Sequence, residues 1–262
     1  MSGSQAMPVV ILCGGQGTRM GSDGQTKKEL VDVGGRAIIW HVMRIFAAYG
    51  HTHFVLTLGH MAREMKRYFL ELDTATLDFT LTLGSPETAE FHSTTREIGW
   101  RITLADTGLS TDKAARILRV APFLEGADRF FVTYGDGVGN IDLDALVAFH
   151  HQHGCLATIT GVHPVSQYGV AQVDTEGRVL GFQEKPQLDH WINGGFMLFE
   201  RGVLDYLRRD STDLERVTLT QLAYHGQLMM YRHDGFWRSM DTFKEAQELD
   251  TIWRECAPWK VW

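Results

Sequence analysis

Cysteine and proline are scarce in this 262-residue chain, which contains three cysteines and six prolines. Cys13, Cys155 and Cys256 show neither the paired spacing of a zinc site nor the density of a disulfide-stabilised domain. This usage of cysteine is typical of a reducing compartment, so we expect a cytoplasmic protein.

Long apolar runs and an excess of positive charge are also missing. No run reaches the roughly 18 apolar residues that a membrane-spanning helix needs, and the N-terminus lacks a signal-peptide pattern. The formal net charge of −7 argues against a general nucleic-acid binder, which would carry a basic face. We therefore expect neither a membrane nor a nucleic-acid partner. We expect residues 1–7 to form a flexible tail and residues 8–262 to form a single domain.

Apolar strand patterns alternate with helical spacing along the first half of the chain. This alternation is typical of a parallel sheet covered by helices on both faces. The predicted strands of this half span residues 9–12, 54–58, 77–83, 100–105 and 129–134. The predicted helices span residues 37–49, 61–72 and part of 112–124, and residues 84–99 are predicted to form a long loop.

The second half of the chain is predicted to add a hairpin and further mixed elements. A β-hairpin is expected from residues 170–174 and 179–183 across a Gly-containing turn. The other predicted strands span residues 156–162, 197–199 and 228–231. The predicted helices span residues 142–153, 202–209, 214–225 and 242–254.

A glycine-rich loop follows the first predicted strand. Gly14, Gly15 and Gly17 fill three of four positions, and Arg19 comes soon after. Glycine lets the backbone approach a ligand, successive N–H groups in a tight turn can bind an anion, and arginine binds phosphate oxygens in a fork. The loop therefore predicts a phosphate site, with an ordinary turn beside a surface arginine as the alternative. The loop has neither the Gly-x-Gly-x-x-Gly pattern of dinucleotide-binding proteins nor the Gly-Lys-Ser/Thr that ends a P-loop (Walker A motif). Both kinds of nucleotide site are therefore disfavoured.

Three charged residues elsewhere each allow a functional and a structural interpretation. Asp136 follows the predicted strand 129–134, at the end where open α/β sheets bind ligands, so it is either a metal ligand or part of an Asp-Gly turn. Asp241 is either a helix cap, a place that Thr242 could also fill, or a second carboxylate on the same metal. Lys185 either reaches a phosphate or forms a solvated charge pair before a proline.

These residues and others resemble the sugar-1-phosphate nucleotidyltransferases and, within them, the glucose-1-phosphate cytidylyltransferase family. The similar stretches occur in order from about residue 8 to the end of the chain. They are Gly14-Gly15-Gln16-Gly17-Thr18-Arg19, Ile39-Trp40-His41, Thr133-Tyr134-Gly135-Asp136-Gly137-Val138, Phe182-Gln183-Glu184-Lys185-Pro186, Trp191-Ile192-Asn193-Gly194-Gly195-Phe196, residues 226–229 and 231–237, Met240-Asp241-Thr242 and Ala257-Pro258-Trp259-Lys260-Val261-Trp262.

The resemblance implies a fold and a reaction. The implied fold is α/β, a single Rossmann-like nucleotidyltransferase domain with a mixed, mostly parallel sheet flanked by helices and a small sugar-binding portion made of a β-hairpin and helices. The implied reaction needs Mg²⁺: a sugar 1-phosphate attacks the α-phosphate of a nucleoside triphosphate, and pyrophosphate leaves. CTP and α-D-glucose 1-phosphate are the expected substrates, and the CDP-sugar product would serve deoxysugar or specialised sugar biosynthesis.

The resemblance also assigns roles to individual residues. The implied catalytic residues are Arg19, Lys28 and Asp136. The implied nucleotide-binding residues are Leu12, Gly14, Gly15, Gly17, Thr18, Arg19 and Arg116. The implied sugar-phosphate residues are Tyr168, Gly169, Glu184, Lys185, Asn193 and Gly194. The implied Mg²⁺ ligands are Asp136 and Asp241. In the family, the arginine aligned with Arg116 reaches a nucleotide site shared between subunits, which implies a homo-oligomer.

Two stretches depart from the family pattern. The family brackets its lysine with prolines as Lys-Pro-Lys-Pro-Met, whereas this chain has Thr26-Lys27-Lys28-Glu29-Leu30. Since prolines stiffen a loop, we expect this one to be more mobile, and Glu29 could pair with Lys27 or Lys28 and compete with phosphate. The family's Thr-Gly-Gly-Arg is replaced by Lys113-Ala114-Ala115-Arg116, which leaves the preferred base open, and the sugar with it.

Three alternative functions remain at this point. The first keeps the chemistry with another base or another sugar 1-phosphate. The second is a nucleotide-sugar glycosyltransferase that uses a metal-binding Asp-x-Asp, a spacing shown by Asp142 and Asp144, although these residues are predicted to begin a helix. The third is a non-catalytic nucleotide-binding homologue.

Overall fold

The computed structural model describes residues 6–15, 26–82, 89–95, 97–208 and 213–262. The α-helices within these ranges are α1 (Ile38–Ala48), α2 (Ala62–Leu70), α3 (Leu72–Thr76), α4 (Lys113–Val120), α5 (Leu143–His153), α6 (Thr220–Tyr224) and α7 (Phe243–Glu255). Shorter turns of 3-10 helix span Lys28–Leu30, Ala121–Leu124 and Arg201–Tyr206, and a π-helical segment spans Leu214–Leu219.

The strands are short and numerous. In chain order they are β1 (Val9–Leu12), β2 (Asp32–Val33), β3 (Arg36–Ala37), β4 (His53–Leu58), β5 (Phe79–Thr80), β6 (Glu90–Phe91), β7 (Arg101–Asp106), β8 (Arg129–Tyr134), β9 (Gly137–Gly139), β10 (Ala157–Val162), β11 (Val170–Val173), β12 (Val179–Gln183), β13 (Ile192–Asn193), β14 (Met197–Glu200), β15 (Leu228–His233) and β16 (Trp237–Ser239).

In the described part of the chain, eight of these strands form one sheet. β8, β1, β4 and β7 lie side by side and run parallel. β14 joins β8 in the antiparallel sense, and β10 pairs with both β13 and β14 before the parallel β15. The predicted mixed, mostly parallel sheet is confirmed, and the end of β1 lies level with the end of β8.

Helices cover both faces of the sheet. Successive residues of a strand point to opposite sides, so each strand contributes side chains to both faces. Val9 and Ile11 pack into one apolar cluster with Phe46 of α1, whereas Val10 and Leu12 pack into a second cluster with Ile117 of α4. Near-continuous apolar strands buried on both faces are typical of parallel sheets. This double burial explains why the strands at residues 9–12 and 129–134 could be predicted to the residue.

A cluster of tryptophans joins the C-terminus to the segment after residue 30. Trp253, Trp259 and Trp262 surround His41, and the Trp259 indole N–H donates to His41 Nδ1. The backbone N–H of Gly34 donates to Asp250 Oδ1 on α7 at 2.9 Å. Burial lowers the pKa of His41 to about 4. Helix α7 is thereby fixed against the β2–β3 turn.

Several element predictions need correction. In the described part of the predicted strand 77–83, residues 77–82, the structure has only the two-residue strand β5. Phe79 within it is 39% exposed, so the alternation reflects a solvated segment rather than a sheet face. The predicted loop 84–99 includes strand β6, while residues 83–88 and 96 lie outside the described residues. The predicted helix 202–209 is a 3-10 turn over Arg201–Tyr206.

The boundary of the predicted tail stays a prediction, because residues 1–5 lie outside the described residues. Met7 is already buried, and its backbone N–H donates to His51 Nδ1 at 3.1 Å. As for membranes, the helices of the described residues are all too short or too polar to cross one.

Candidate active site

Two loops leave the same edge of the sheet because β1 and β8 are parallel neighbours. Leu12 lies opposite Tyr134, so the segment 13–15 and the turn at Asp136 begin side by side. A cavity of about 310 Å³ opens there. Its lining residues are Leu12, Gly14, Gly15, Lys28, Glu29, Thr111, Asp112, Lys113, Arg116, Tyr134 and Asp136.

A second cavity, of about 270 Å³, lies where β1, β4 and β8 begin, and Pro8, His53 and Arg129 are among the residues that line it. None of the predicted site residues lines that cavity. Ligands of open α/β sheets bind at the carboxyl ends of strands, so the first cavity is the candidate site.

Asp136 and Asp241 converge although they are far apart in the sequence. Strand β16 pairs with β9, and the backbone N–H of Met240 donates to the Asp136 carbonyl at 2.9 Å. The ammonium of Lys28 lies 2.6 Å from Asp136 Oδ2 and 2.5 Å from Asp241 Oδ1. Burial opposes the charge of Lys28, but the two carboxylates outweigh it and raise its pKa.

The convergence fits a divalent cation. Two carboxylates from separate segments already share one positive charge, the ammonium of Lys28. Mg²⁺ is usually bound through one or two carboxylates, with substrate phosphates and water as its other ligands. In the part of the chain that the structure describes, no cluster of three or more His, Cys, Asp or Glu side chains is placed to hold a metal. Asp136 and Asp241 thus offer the donor set of a metal held jointly with phosphate.

The helix cap next to Asp241 is Thr242. Its hydroxyl accepts a hydrogen bond from the Glu245 backbone N–H, and the Glu245 carboxylate accepts from the backbone N–H groups of Asp241 and Thr242. This reciprocal arrangement is a capping box. The interpretation of Asp241 as the cap is therefore wrong, and its carboxylate contacts Lys28 instead.

We expect Thr242→Ala to lower the free energy of unfolding by about 1 kcal/mol, because the cap hydroxyl is lost. Denaturant titration measures this change. Asp142 caps α5 by accepting from the Ala145 N–H, so Asp142→Ala is a matched control with a similar loss. Thr242→Ser should retain wild-type stability. A Thr242→Ala variant as stable as wild type would show that the capping box does not hold α7.

Arg116 supports the glycine-rich loop from within the fold. It is only 3% exposed, and its guanidinium donates to the Gly14 carbonyl and the Leu58 carbonyl, each at 3.0 Å, and to the Thr107 hydroxyl at 2.6 Å. A Cβ at Gly14 would lie 2.2 Å from this guanidinium, so a side chain there would displace the guanidinium. The guanidinium is occupied by its own chain, and a site shared between subunits stays a prediction.

Three of the predicted phosphate-binding residues, Gly17, Thr18 and Arg19, lie outside the described residues. Gly14 and Gly15 do line the cavity. Lys28, which also lines the cavity, is the first residue of the 3-10 turn Lys28–Leu30. Glu29 pairs with Lys27 rather than with Lys28.

The predicted sugar-phosphate residues fall into two groups. Asn193 donates to the Tyr134 hydroxyl at 3.1 Å and accepts from the Gly195 N–H, and the Gly194 carbonyl accepts from the Trp237 indole. This group adjoins the cavity through Tyr134. The other group lies around the β11–β12 hairpin and consists of Tyr168, Gly169, Glu184 and Lys185.

Lys185 of the hairpin group is an exposed cation with an unusual backbone. Its φ is +48°, a left-handed conformation that side chains other than glycine seldom adopt. Such backbone strain occurs preferentially at functional sites. Gly169 lies against Glu184, since a Cβ there would be 2.9 Å from Glu184 Oε2. None of the contacts found among the described residues joins this group to Asp136.

The structure adds a polar network that was not predicted. The Tyr134 hydroxyl donates to Glu215 Oε1 at 2.5 Å, and Lys113 Nζ lies 2.5 Å from the same oxygen. Burial and then the Glu215 charge raise the pKa of Tyr134. The sequence drew attention to Lys113, because it is the first residue of the stretch 113–116 that departs from the family pattern. Glu215 had no such signal, because it lies within a predicted helix with no motif around it.

A comparison with protein families gives a match over residues 8–244 to the family described as "Nucleotidyl transferase". The chain belongs to the nucleotidyl transferase family. The enzyme class and the α/β fold predicted from the sequence are thereby confirmed. The matched range includes both loops of the cavity, Lys28 and both converging aspartates.

Two similar curated proteins match this chain over their whole length. A "probable glucose-1-phosphate cytidylyltransferase" of Bacillus subtilis is 40% identical over 98% of this chain and all of its own. The glucose-1-phosphate cytidylyltransferase of Salmonella typhi is 37% identical with the same coverage. The predicted resemblance to this family is confirmed. Among solved structures, HddC from Yersinia pseudotuberculosis, complexed with GMP-PN, matches with a TM-score of 0.65 at 17% identity, covering 94% of this chain and 99% of its own, and shows a shared fold.

Proposed function

We propose that this nucleotidyl transferase transfers CMP from CTP to α-D-glucose 1-phosphate, giving CDP-glucose and pyrophosphate. The observation that carries the proposal is the convergence of Lys28, Asp136 and Asp241 beside the glycine-rich loop. The names of the curated relatives, at 37–40% identity over nearly the whole chain, support the choice of base and sugar.

The chemistry asks the protein for positioning and charge neutralisation. An oxygen of the sugar phosphate forms a bond to the α-phosphorus of CTP, the bond from that phosphorus to the pyrophosphate oxygen breaks, and pyrophosphate leaves with the electron pair. Asp136 and Asp241 would hold Mg²⁺, which supplies neutralisation of the phosphate charge when bound. The glycine-rich loop would hold the triphosphate, and Lys28 would stabilise the reacting phosphates.

We assign the sugar phosphate to the part of the cavity that Tyr134 lines. Asn193 contacts Tyr134 there, and the Gly194 carbonyl that follows accepts from the Trp237 indole. Lys185 makes no hydrogen bond or ion pair within the described residues and is exposed, so its ammonium is available for a phosphate. The homo-oligomer, its shared nucleotide site and the cytoplasmic location belong to the same proposal.

We expect Lys185→Ala to raise the KM for the sugar phosphate about 10- to 150-fold, the equivalent of losing a charge-assisted contact of about 1.5–3 kcal/mol. The KM for the nucleotide should stay near its wild-type value. Arg178→Ala is the matched control, since Arg178 is another exposed cation on the same hairpin. Equal increases in both KM values would place Lys185 away from the sugar phosphate.

The glycosyltransferase alternative is not favoured by the structure. The Asp142 carboxylate accepts from the Ala145 N–H as the cap of α5, and Asp144 lies in the first turn of that helix. An Asp-x-Asp metal site would need these carboxylates at the cavity, and neither lines it.

A matrix of substrates tests the proposal. Pyrophosphate release with Mg²⁺ is measured for CTP, UTP, dTTP, ATP and GTP, each combined with glucose 1-phosphate and other hexose 1-phosphates. We expect release that depends on both substrates and is fastest with CTP and glucose 1-phosphate. If another nucleotide and sugar phosphate reacted faster, the proposed reaction would stand and the proposed substrates would be wrong. No release from any pair would favour a non-catalytic nucleotide-binding protein.

A further inference from the structure

Lys27 and Glu29, the two residues that flank Lys28, form a buried ion pair. Lys27 is 4% exposed and Glu29 is 7% exposed, and Lys27 Nζ lies 3.2 Å from Glu29 Oε2. Charged side chains are almost never fully buried unless they are paired. Where the family has prolines, this chain thus has a turn with a charge pair packed inside the fold, and the expected mobility of the loop stays a prediction.

Lys27 also reaches the glycine-rich loop. Its ammonium donates to the Gly15 carbonyl at 3.1 Å, across twelve residues of sequence. The same ammonium therefore contacts the loop that follows β1 and, through Glu29, the turn that carries Lys28. Lys28 itself points to Asp136 and Asp241, so neighbouring lysines contact different parts of the site.

Glu29 contacts a third segment, the turn after β8. A Cβ at Gly135 would lie 2.8 Å from Glu29 Cγ, so the absence of a side chain at Gly135 makes room for Glu29. The Gly135 N–H donates to the Leu12 carbonyl at 3.3 Å, and Asp136 follows directly. The ion pair therefore lies where the glycine-rich loop, the Lys28 turn and the Asp136 turn meet.

We propose that Lys27 and Glu29 are positioning residues that fix these three segments relative to one another, so that the nucleotide loop and Lys28 approach the triphosphate together. The role rests on the proposed function. A pair of apolar side chains would fill the same space without the cost of burying charge. What the ion pair adds is direction, because the Lys27 ammonium donates to the Gly15 carbonyl and lies 3.2 Å from Glu29 Oε2.

The test removes both charges at once, since either single substitution would leave a buried charge unpaired. Lys27→Met/Glu29→Leu keeps the space filled, so its thermal unfolding should stay near that of wild type. We expect amide hydrogen exchange in segments 12–15 and 27–31 to become about tenfold faster. We also expect the KM for the nucleotide to rise about tenfold or more and kcat to fall, with the KM for the sugar phosphate unchanged.

A second ion pair provides the matched control. Arg129 pairs with Glu200 where β8 begins, at the far end of the strand from Asp136. Arg129→Met/Glu200→Leu should leave exchange in the two segments and both KM values unchanged. If Lys27→Met/Glu29→Leu does not fold, Lys27→Gln/Glu29→Gln removes the charges and keeps polar groups, and the same changes are expected of it.

The outcomes separate this proposal from the proposed function. Wild-type exchange and a wild-type nucleotide KM in the charge-free variant would show that the pair only fills space, and the proposal would be wrong. Equal increases in both KM values with unchanged exchange would also overturn it. Hydrogen exchange needs no substrate, so it decides the positioning role even if the wild-type protein turns over no substrate pair.

Discussion

Asp136→Asn and Asp241→Asn should each lower the rate of nucleotidyl transfer about a thousandfold or more. Asparagine keeps the size of the side chain and removes its charge. Both carboxylates contact one ammonium in this structure, and both are the proposed ligands of Mg²⁺. Each substitution would therefore weaken metal binding at the point where the charge of the triphosphate must be neutralised. Pyrophosphate release at saturating nucleotide and sugar phosphate measures the effect.

The control for these variants is Asp144→Asn, an exposed carboxylate in the first turn of α5 that does not line the cavity. It should retain the wild-type rate. Raising the Mg²⁺ concentration should recover part of the lost rate in the site variants, since a weakened ligand set is still present. Near-normal rates for both Asp136→Asn and Asp241→Asn would rule out the metal assignment.

Lys28→Met should have two opposite effects. Loss of the ammonium should reduce turnover about a hundred- to a thousandfold, the usual range for removing a preorganised donor to a reacting oxygen. It should also leave the two carboxylates without the cation that they share, so that their mutual repulsion favours any metal that replaces it. We therefore expect the substrate-free variant to bind Mn²⁺ more tightly than the wild type does.

Calorimetric titration with Mn²⁺, without nucleotide, measures the second effect. The midpoint of thermal unfolding should also rise more on adding Mg²⁺ to the variant than to the wild type, because only the variant gains a missing cation. Lys28→Arg keeps the positive charge and should bind Mn²⁺ as weakly as the wild type. Wild-type Mn²⁺ affinity in Lys28→Met would show that Lys28 does not compete for the metal position.

The strands that carry the site could be predicted because a strand buried on both faces is a nearly continuous run of apolar residues. Val9–Leu12 is followed by Cys13 and Gly14, and Arg129–Tyr134 is followed by Gly135. Residues of both loops line the cavity. The segment 77–83 misled the prediction because alternation also occurs where a chain runs along the surface. Period-two patterning reports which side chains could share a face, not whether a partner strand covers it.

The resemblance to the family placed two distant aspartates at one site, whereas contacts between residues without a motif could not be predicted. Asp136 and Asp241 were predicted as a pair, and the structure brings them together. The capping box could have excluded Asp241 as the helix cap in advance, since Thr242 and Glu245 have its spacing. The contact of Tyr134 with Glu215 joins residues 81 positions apart and left no local pattern.

The departures from the family pattern gain a physical meaning from the structure. Lys27 and Glu29 stand beside Lys28 as a buried pair, and Lys113 contacts Glu215 beside the cavity. In each of these two pairs, a lysine and a glutamate of the same chain neutralise each other. The sequence left two possible partners for Glu29 and gave no sign of the contact between Lys113 and Glu215, because both pairings depend on which loops meet at the edge of the sheet.

The most direct test of this account is phosphorus NMR of the protein mixed with CTP, α-D-glucose 1-phosphate and Mg²⁺. The signals of both substrates should decline together, and a nucleotide-sugar diphosphate and pyrophosphate should appear in equal amounts. Omission of either substrate or of Mg²⁺ should stop the change. Release of phosphate or pyrophosphate from CTP without the sugar, or unchanged spectra with every hexose 1-phosphate and nucleoside triphosphate, would contradict it.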